Sequence, residues 1–295
     1  MSKQLGLSEA LAEWVPNGAT LLMGAGLEAL IPFSAAHELI RQGRRDLTLV
    51  APISDMLIDQ LVGAGLARKI VAAWVGNVSA GSGYNFRRAV EEGVPEPVEV
   101  IDHSNLTLAL ALHAAALGVP FLPTFSTLGT DLLASNPDLG KTACPFTGES
   151  MVAVKALAPD VAILPVQRAD PEGNSHVWGN LGVISDAARA AKRVVVLAEE
   201  IVSAKVIEGD PNRTVIPGFL VSAVVHEPLG CHPSPCHGYY GRDHAFFSDY
   251  HDRTCSREGF LGWLDDWVLR VKDRKEYLAR LGRARAAALR EECGG

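Results

Sequence analysis

His113-Ala-Ala-Ala-Leu-Gly-Val-Pro-Phe-Leu-Pro-Thr-Phe-Ser-Thr-Leu-Gly-Thr-Asp131 carries the transition that decides the fold. A Leu/Ala-rich helical run stops at Gly118, a short apolar stretch covers residues 119–122, and a polar loop opens at Pro123. Glycine just past a helix and proline closing a buried strand are the punctuation of an α/β chain. The hydroxyl-rich loop Thr124, Ser126, Thr127 is then expected to leave the carboxyl end of a parallel strand. Open α/β folds place their ligands there.

On either side the same rhythm repeats. Apolar runs predict strands over residues 19–23, 47–51, 70–75, 98–101, 119–122, 161–166, 193–198 and 220–225. Helical patterns fall between them, over residues 32–41, 56–66, 85–92, 106–117 and 185–191. Runs near five residues long, rich in Val and Ile and separated by helices, mark parallel strands covered on both faces. The expected class is therefore α/β, a mostly parallel sheet with helices on both faces. From Glu258 onward apolar residues recur at helical spacing with Arg and Lys opposite, predicting two tail helices that pack on the domain or on a partner. With no repeat and no low-complexity segment, residues 1–295 read as a single domain with a helical tail from about 257.

Composition narrows the function classes. A chain of 295 residues, 48% hydrophobic, can bury a large core. The net charge is −7 with no basic block, so no nucleic-acid partner is expected. The N-terminal residues show no signal-like apolar run, and no stretch approaches the roughly 20 apolar residues of a membrane span. Five cysteines (Cys144, Cys231, Cys236, Cys255 and Cys293) form no regular framework, which fits reduced thiols in the cytoplasm.

Four segments carry candidate chemistry. Gly24-Ala25-Gly26 follows the first strand. It departs from a dinucleotide fingerprint, because Ala29 stands where a third glycine belongs and Asp46 begins the second strand instead of ending it. The modest reading is a turn whose N–H groups approach a ligand oxygen; a tight turn without a ligand is the alternative. Gly76-Asn77-Val78-Ser79-Ala80-Gly81-Ser82-Gly83 follows the third strand, with Asn85 expected as the cap of the next helix. That loop can offer donors to a carboxylate or thioester carbonyl, or it can be a mobile surface loop. Arg87 and Arg88 are read as solvated or partner-bound. The loop over residues 124–145 is long enough that function or an inter-subunit contact is expected, with Ser126, Gly129, Thr130 and Asp131 nearest its strand. Glu199-Glu200 ends an apolar strand, where a carboxylate can serve a site or cap a helix.

Other constellations are weaker. Cys231-His232 and Cys236-His237, with His226, His244 and His251 nearby, have looser spacing than a zinc knuckle, so no metal is expected and two buried thiols are the better reading. No Gly-x-Ser-x-Gly elbow appears, and a hydrolase triad has no support.

Several stretches together resemble the α chains of the glutaconate CoA-transferase family, a class I CoA-transferase. They are Glu38-Leu-Ile-Arg-Gln-Gly43, Asp46-Leu-Thr48, Asn85-Phe-Arg87 with Glu92-Gly93, residues 113–123, Asp160-Val-Ala-Ile163, and Asp170-Pro-Glu-Gly173 with Trp178-Gly179. Glu199-Glu-Ile201, His232-Pro-Ser234, Lys272-Asp273, Glu276-Tyr277-Leu278 and Leu281-Gly282 extend the series in family order. The resemblance implies an α subunit that pairs with a homologous β subunit in a heterodimer or heterotetramer. It implies ping-pong transfer between an acyl-CoA and an organic acid, with a coenzyme A thioester as substrate and no tightly bound cofactor. A glutamate on the β subunit would attack the acyl-CoA, form an anhydride and become a glutamyl-CoA thioester. No catalytic nucleophile is then expected in this chain. Gly24, Ala25, Gly26, Asn77, Ser79, Ser82, Ser104, Ser126 and Gly129 are its expected substrate-binding residues.

Two departures bear on substrate. Relatives usually carry a basic residue shortly before the proline of the first turn, whereas this chain reads Leu27-Glu28-Ala29-Leu30-Ile31-Pro32, and the missing positive charge argues against a dicarboxylic acyl group such as glutaconate. Ring-opening CoA hydrolases of similar sequence place a glutamate where Asn105 follows Ser104. Besides transfer, a thioester or ring-opening hydrolase and a non-catalytic ligand-binding regulatory subunit remain as alternatives.

Overall fold

The computed structural model describes residues 3–291, so Cys293 lies outside the described residues. In chain order the strands begin with β1 (Thr20–Leu22), β2 (Leu47–Ile53), β3 (Ala67–Trp74), β4 (Gly76–Asn77), β5 (Gly81–Ser82), β6 (Glu99–Asp102) and β7 (Phe121–Thr124). They continue as β8 (Leu139–Ala143), β9 (Ser150–Lys155), β10 (Val161–Ala169), β11 (Ser175–His176), β12 (Arg193–Ile201), β13 (Thr214–Ile216) and β14 (Val221–His226).

Seven strands run parallel in the order β14-β12-β10-β1-β2-β3-β6, and β11 and β13 add an antiparallel fringe beside the far end of β10. Residues 161–166 of β10 are buried without interruption, as expected when both faces are covered. Alternate residues feed two cores. Leu21, Leu49, Ile163, Val195 and Ala223 join one; Leu22, Val50, Leu164, Val194 and Val224 join the other.

Helices α1 (Leu7–Trp14), α2 (Phe33–Arg41), α3 (Met56–Gly63) and α4 (Tyr84–Glu91) precede the long α5 (Asn105–Leu117). After it come α6 (Asp131–Ser135), α7 (Ile184–Ala190), α8 (Ala204–Glu208) and α9 (His244–Arg253). Helix α5 is bounded as its sequence dictates: Ser104 and Thr107 form a capping box, and Gly118 closes the helix at φ 71°. The tail forms α10 (Arg257–Leu264), a π-helical turn at Asp265–Leu269, α11 (Arg274–Leu281) and α12 (Arg283–Glu291). It is thus more broken than two helices, with Gly282 at φ 88° separating the last pair. Trp263 and Tyr277 pack into one core while Leu281 and Leu289 pack into the other, so the tail clasps both faces. Among the described residues no helix is long and apolar enough to cross a membrane.

Three expectations are corrected. The run at 119–122 is not a strand of the parallel sheet: Phe121–Thr124 is the edge of a separate antiparallel sheet, β7-β9-β8, that packs on α5 through Ala111, Leu139, Val152 and Val154. The long loop over 124–145 contains α6 and β8. Asn85 lies inside α4 and is buried, its amide donating to Asp59 Oδ2 at 2.9 Å and to the Tyr250 hydroxyl at 3.2 Å; Gly83 holds the cap position.

Candidate functional site

Parallel strands β1, β2, β3 and β6 deliver four loops to one edge of the sheet, the carboxyl edge. The turn after β1 needs glycine at its start: Gly24 has φ 79°, and a Cβ there would stand 2.8 Å from the Ile53 carbonyl oxygen. Beyond it Leu27 and Leu30 also take positive φ, 64° and 52°. The turn is pinned by Val183 N–H donating to the Ala25 carbonyl at 2.8 Å and Leu30 N–H donating to the Pro235 carbonyl at 3.0 Å. Gly24, Ala25 and Gly26 are all buried.

At the end of β2, Asp55 is fully buried with φ 51° and ψ −143°, a conformation otherwise left to glycine. Its carboxylate accepts the Val78 N–H at 2.9 Å and forms a short ion pair with Arg242. Burial pushes the Asp55 carboxyl up, and the Arg242 charge opposes that rise.

After β3 the Gly-rich segment folds as a hairpin of β4 and β5 rather than an open loop. Asn77 is buried and structural: its amide donates to the Phe247 carbonyl at 2.8 Å, and its oxygen accepts the Ser79 N–H at 3.0 Å. The Ser79 hydroxyl accepts from Arg242 Nε at 3.0 Å and lies 3.3 Å from His244 Nδ1. Ser82 is exposed. Arg88 is held within the chain, donating to the Thr254 and Cys255 carbonyls at 3.1 Å, while Arg87 pairs on the surface with Glu91. After β6, Ser104 is half-buried and its hydroxyl accepts the Thr107 N–H at 3.0 Å.

Arg242 links the turn after β1, at the Glu28 carbonyl, to Ser79 of the hairpin and to Asp55, and Ser104 follows the neighbouring outer strand. Ser126 and Gly129 belong instead to the loop after β7 on the smaller sheet. There the Ser126 N–H donates locally to Thr124 Oγ1, and Gly129 is exposed at φ 75°. Asp55 and Arg242 are absent from the residues that the sequence singles out. A Ser-Asp pair between an apolar strand and a helical run could have flagged Asp55 as a cap; nothing near Arg242 points back to the sheet edge.

The other titratable groups have structural work. Glu199 accepts from the Tyr240 hydroxyl at 2.6 Å and the Leu229 N–H at 2.7 Å. Glu200 pairs with Arg168 at 2.9 Å and accepts from Tyr239 at 2.8 Å. His232 is buried between Tyr277 (2.8 Å) and Asp243 (2.9 Å), and burial lowers its pKa to about 4. Cys231 and Cys236 are buried thiols, and burial pushes Cys231 well up. Among the described residues no three His, Cys, Asp or Glu side chains are arranged to hold a metal ion.

Sequence comparison matches residues 6–227 to the family described as Coenzyme A transferase. The A subunit of a 3-oxoadipate CoA-transferase from Pseudomonas knackmussii is 42% identical over 281 residues, spanning 95% of this chain and 99% of that one. The A subunit of a glutaconate CoA-transferase from Acidaminococcus fermentans is 34% identical across 98% of this chain and 95% of its own. The crystal structure of the A. fermentans enzyme superposes with a TM-score of 0.93, at 33% identity over 98% of this chain and 95% of that one. A solved decarboxylase, AibA/AibB, superposes at 0.78 with 28% identity, covering 90% of this chain and all of its own.

Proposed function

This chain belongs to the coenzyme A transferase family, and we propose that it works as the A-type (α) component of a heteromeric enzyme moving CoA between an acyl-CoA and a dicarboxylic acid of the 3-oxoadipate or glutaconate kind. The observation that carries this reading is the end-to-end match: 99% of the 3-oxoadipate relative and 95% of the glutaconate relative align, and both are named as A subunits. Both names denote acids with two carboxylates, and the 42% and 34% identities over nearly whole chains weigh more here than the absence of a cation from Leu27–Pro32. The decarboxylase shares the fold at lower identity, which favours transfer.

In this reading a homologous β subunit brings the glutamate that attacks the acyl-CoA, and this chain supplies the opposite wall. Gly24, Ala25 and Gly26 would present backbone donors, Ser79, Ser82 and Ser104 hydroxyls, and Asn77 the shape of the hairpin. Ser126 and Gly129 are left out of that wall. The Tyr240 and Leu229 bonds engage both oxygens of buried Glu199, which supports a nucleophile outside this chain, since an activated carboxylate needs a free lone pair aimed at substrate. Asn105, exposed in the first turn of α5, offers no carboxylate to a hydrolytic mechanism. Buried thiols suit a reducing cytoplasm.

The test is reconstitution. The purified chain alone should show neither acyl-CoA:acid exchange nor a hydroxylamine-sensitive thioester adduct, and adding the β protein should restore both. An open half-site leaves the reacting carbonyl hydrated, and losing a single preorganised oxyanion donor already costs about 10²–10³ in rate. Turnover by the isolated chain, abolished by Glu199→Ala or Glu200→Ala, would overturn the proposal.

A further inference from the structure

Arg242 sits in the excursion between β14 and α9, far along the chain from every loop it touches. Its Nε donates to Ser79 Oγ at 3.0 Å, one terminal nitrogen donates to the Glu28 carbonyl at 3.3 Å, and the other pairs with Asp55. The guanidinium lies over the Phe247 ring, 4.0 Å from its centroid, and Phe247 in turn holds Asn77 through its carbonyl. One rigid fork therefore ties the turn after β1, the end of β2 and the hairpin after β3. The anchor is itself constrained, because Asp55 is fully buried at φ 51° while the Arg242 side chain is 14% exposed. Arg242 also stands beside the turn whose own residues, Leu27 to Pro32, include no cation.

We infer that Arg242 is a specificity-determining positioning residue: it fixes the separation between the Gly24–Glu28 turn and the Ser79 hairpin, and so the length of acid the wall accepts. The inference rests on the transferase reading. A planar guanidinium can address three acceptors in fixed directions, whereas a lysine ammonium on a flexible stem cannot hold that geometry. Displacing one wall by about 1 Å is enough to change the rate by about 10²-fold through misalignment of the reacting carbonyl. A single methylene of substrate is discriminated by roughly 10–200-fold in a fitted pocket. Loss of the clamp should therefore alter selectivity, not merely activity.

The experiment compares wild type, Arg242→Lys and Arg242→Gln in the complex reconstituted with the β subunit. Acceptors are unbranched dicarboxylic acids of five and six carbons. The expected result is a shift of the five- to six-carbon kcat/KM ratio by about tenfold in Arg242→Gln, with a smaller shift in Arg242→Lys. Equal proportional losses for both acids, or an unchanged ratio, would overturn the inference. Hydrogen exchange on the same samples reads the clamp without turnover. Amides of residues 24–30 and 76–82 should exchange faster together in Arg242→Gln, and α5 amides should not. Wild-type exchange in either segment would overturn the clamp. Should the wild-type complex transfer CoA to neither acid, the transferase reading falls and the selectivity role with it, and the exchange comparison then decides the clamp alone. Arg242→Lys keeps a charge beside buried Asp55 and carries both measurements if the glutamine variant fails to fold.

Discussion

The Tyr240 hydroxyl donates to Glu199 Oε1 across 2.6 Å while its oxygen accepts the Cys231 N–H at 3.1 Å. Glu199 also accepts the Leu229 N–H, and Leu229 takes φ 58°. Burial raises the pKa of this carboxyl, opposed by the Tyr240 bond. Glu199 is thus a brace between β12 and the excursion after β14. Glu199→Gln should cost about 1 kcal/mol, one exchanged hydrogen bond, whereas Glu199→Ala should cost roughly 3 kcal/mol by stranding two buried donors. Urea denaturation of the two variants measures the difference.

Asp55 yields a second expectation, opposite in order to ordinary propensity. Removing either partner of the buried Asp55–Arg242 pair should destabilise by about 3 kcal/mol. Because Asp55 occupies a glycine-like conformation, Asp55→Gly should be less harmful than Asp55→Ala by about 1 kcal/mol. Thermal unfolding of both variants checks the order, and an alanine variant as stable as the glycine variant would refute the strain argument.

Glu227 predicts a pH dependence. It lines a small cavity with Ser34, His37, Arg41, Asp273, Arg274 and Tyr277, and burial raises its pKa to about 7 against the opposing charges of Arg274 and Arg41. The protonated form is favoured in the folded state, so the unfolded chain releases this proton first as pH rises. The contribution to stability is full below pH 4.5, the ordinary value, and is lost as pH approaches about 7. The loss should be on the order of 3 kcal/mol relative to Glu227→Gln, which has no proton to release. Denaturant titrations of both proteins across that window give the comparison.

Ser104 separates a capping role from a binding role. Ser104→Ala should lose about 1 kcal/mol by removing the cap of α5, and Ser104→Asp should recover it, since aspartate caps equally well. If the hydroxyl also meets the acyl group, Ser104→Asp in the reconstituted enzyme should raise the KM for the acid while leaving stability intact. Steady-state kinetics beside thermal melts distinguishes the two.

The central parallel strands are legible because their Val/Ile runs, such as residues 161–166 and 194–198, are buried on both faces, so the sequence has no alternation to hide them. The strand at Phe121–Thr124 defeats that reading for a definite reason. Four apolar letters after a helix look the same in either sheet type, and the arbiter is Pro123, whose missing N–H confines it to an edge strand. β7 is indeed an edge, paired to β9 alone among the described strands, with Phe121 exposed. At the candidate site, Gly24 is readable because a turn between strand and helix has few chemical solutions. Asn77 and Ser79 are readable as polar residues in a Gly-rich loop, although not as one donor tied to Phe247 and one acceptor tied to Arg242. The Arg242 contacts depend on how a Gly-, Pro- and His-rich excursion folds back, and no local pattern encodes that return.

The smaller antiparallel sheet also has a bearing on cooperativity. It meets the rest of the chain through the modest cluster on α5 and through Asn136, whose amide donates to the Asp102 carbonyl at 2.6 Å. Phe121, Phe125 and Phe146 in this segment are exposed, the last to 94%. Few buried contacts mean a low free energy of local opening. Residues 121–155 should therefore form a foldon that unzips below the global transition, with amides exchanging well before those of β10 and β12. Helix α5, which packs into both this cluster and the larger core, would mark the boundary at which the opening stops.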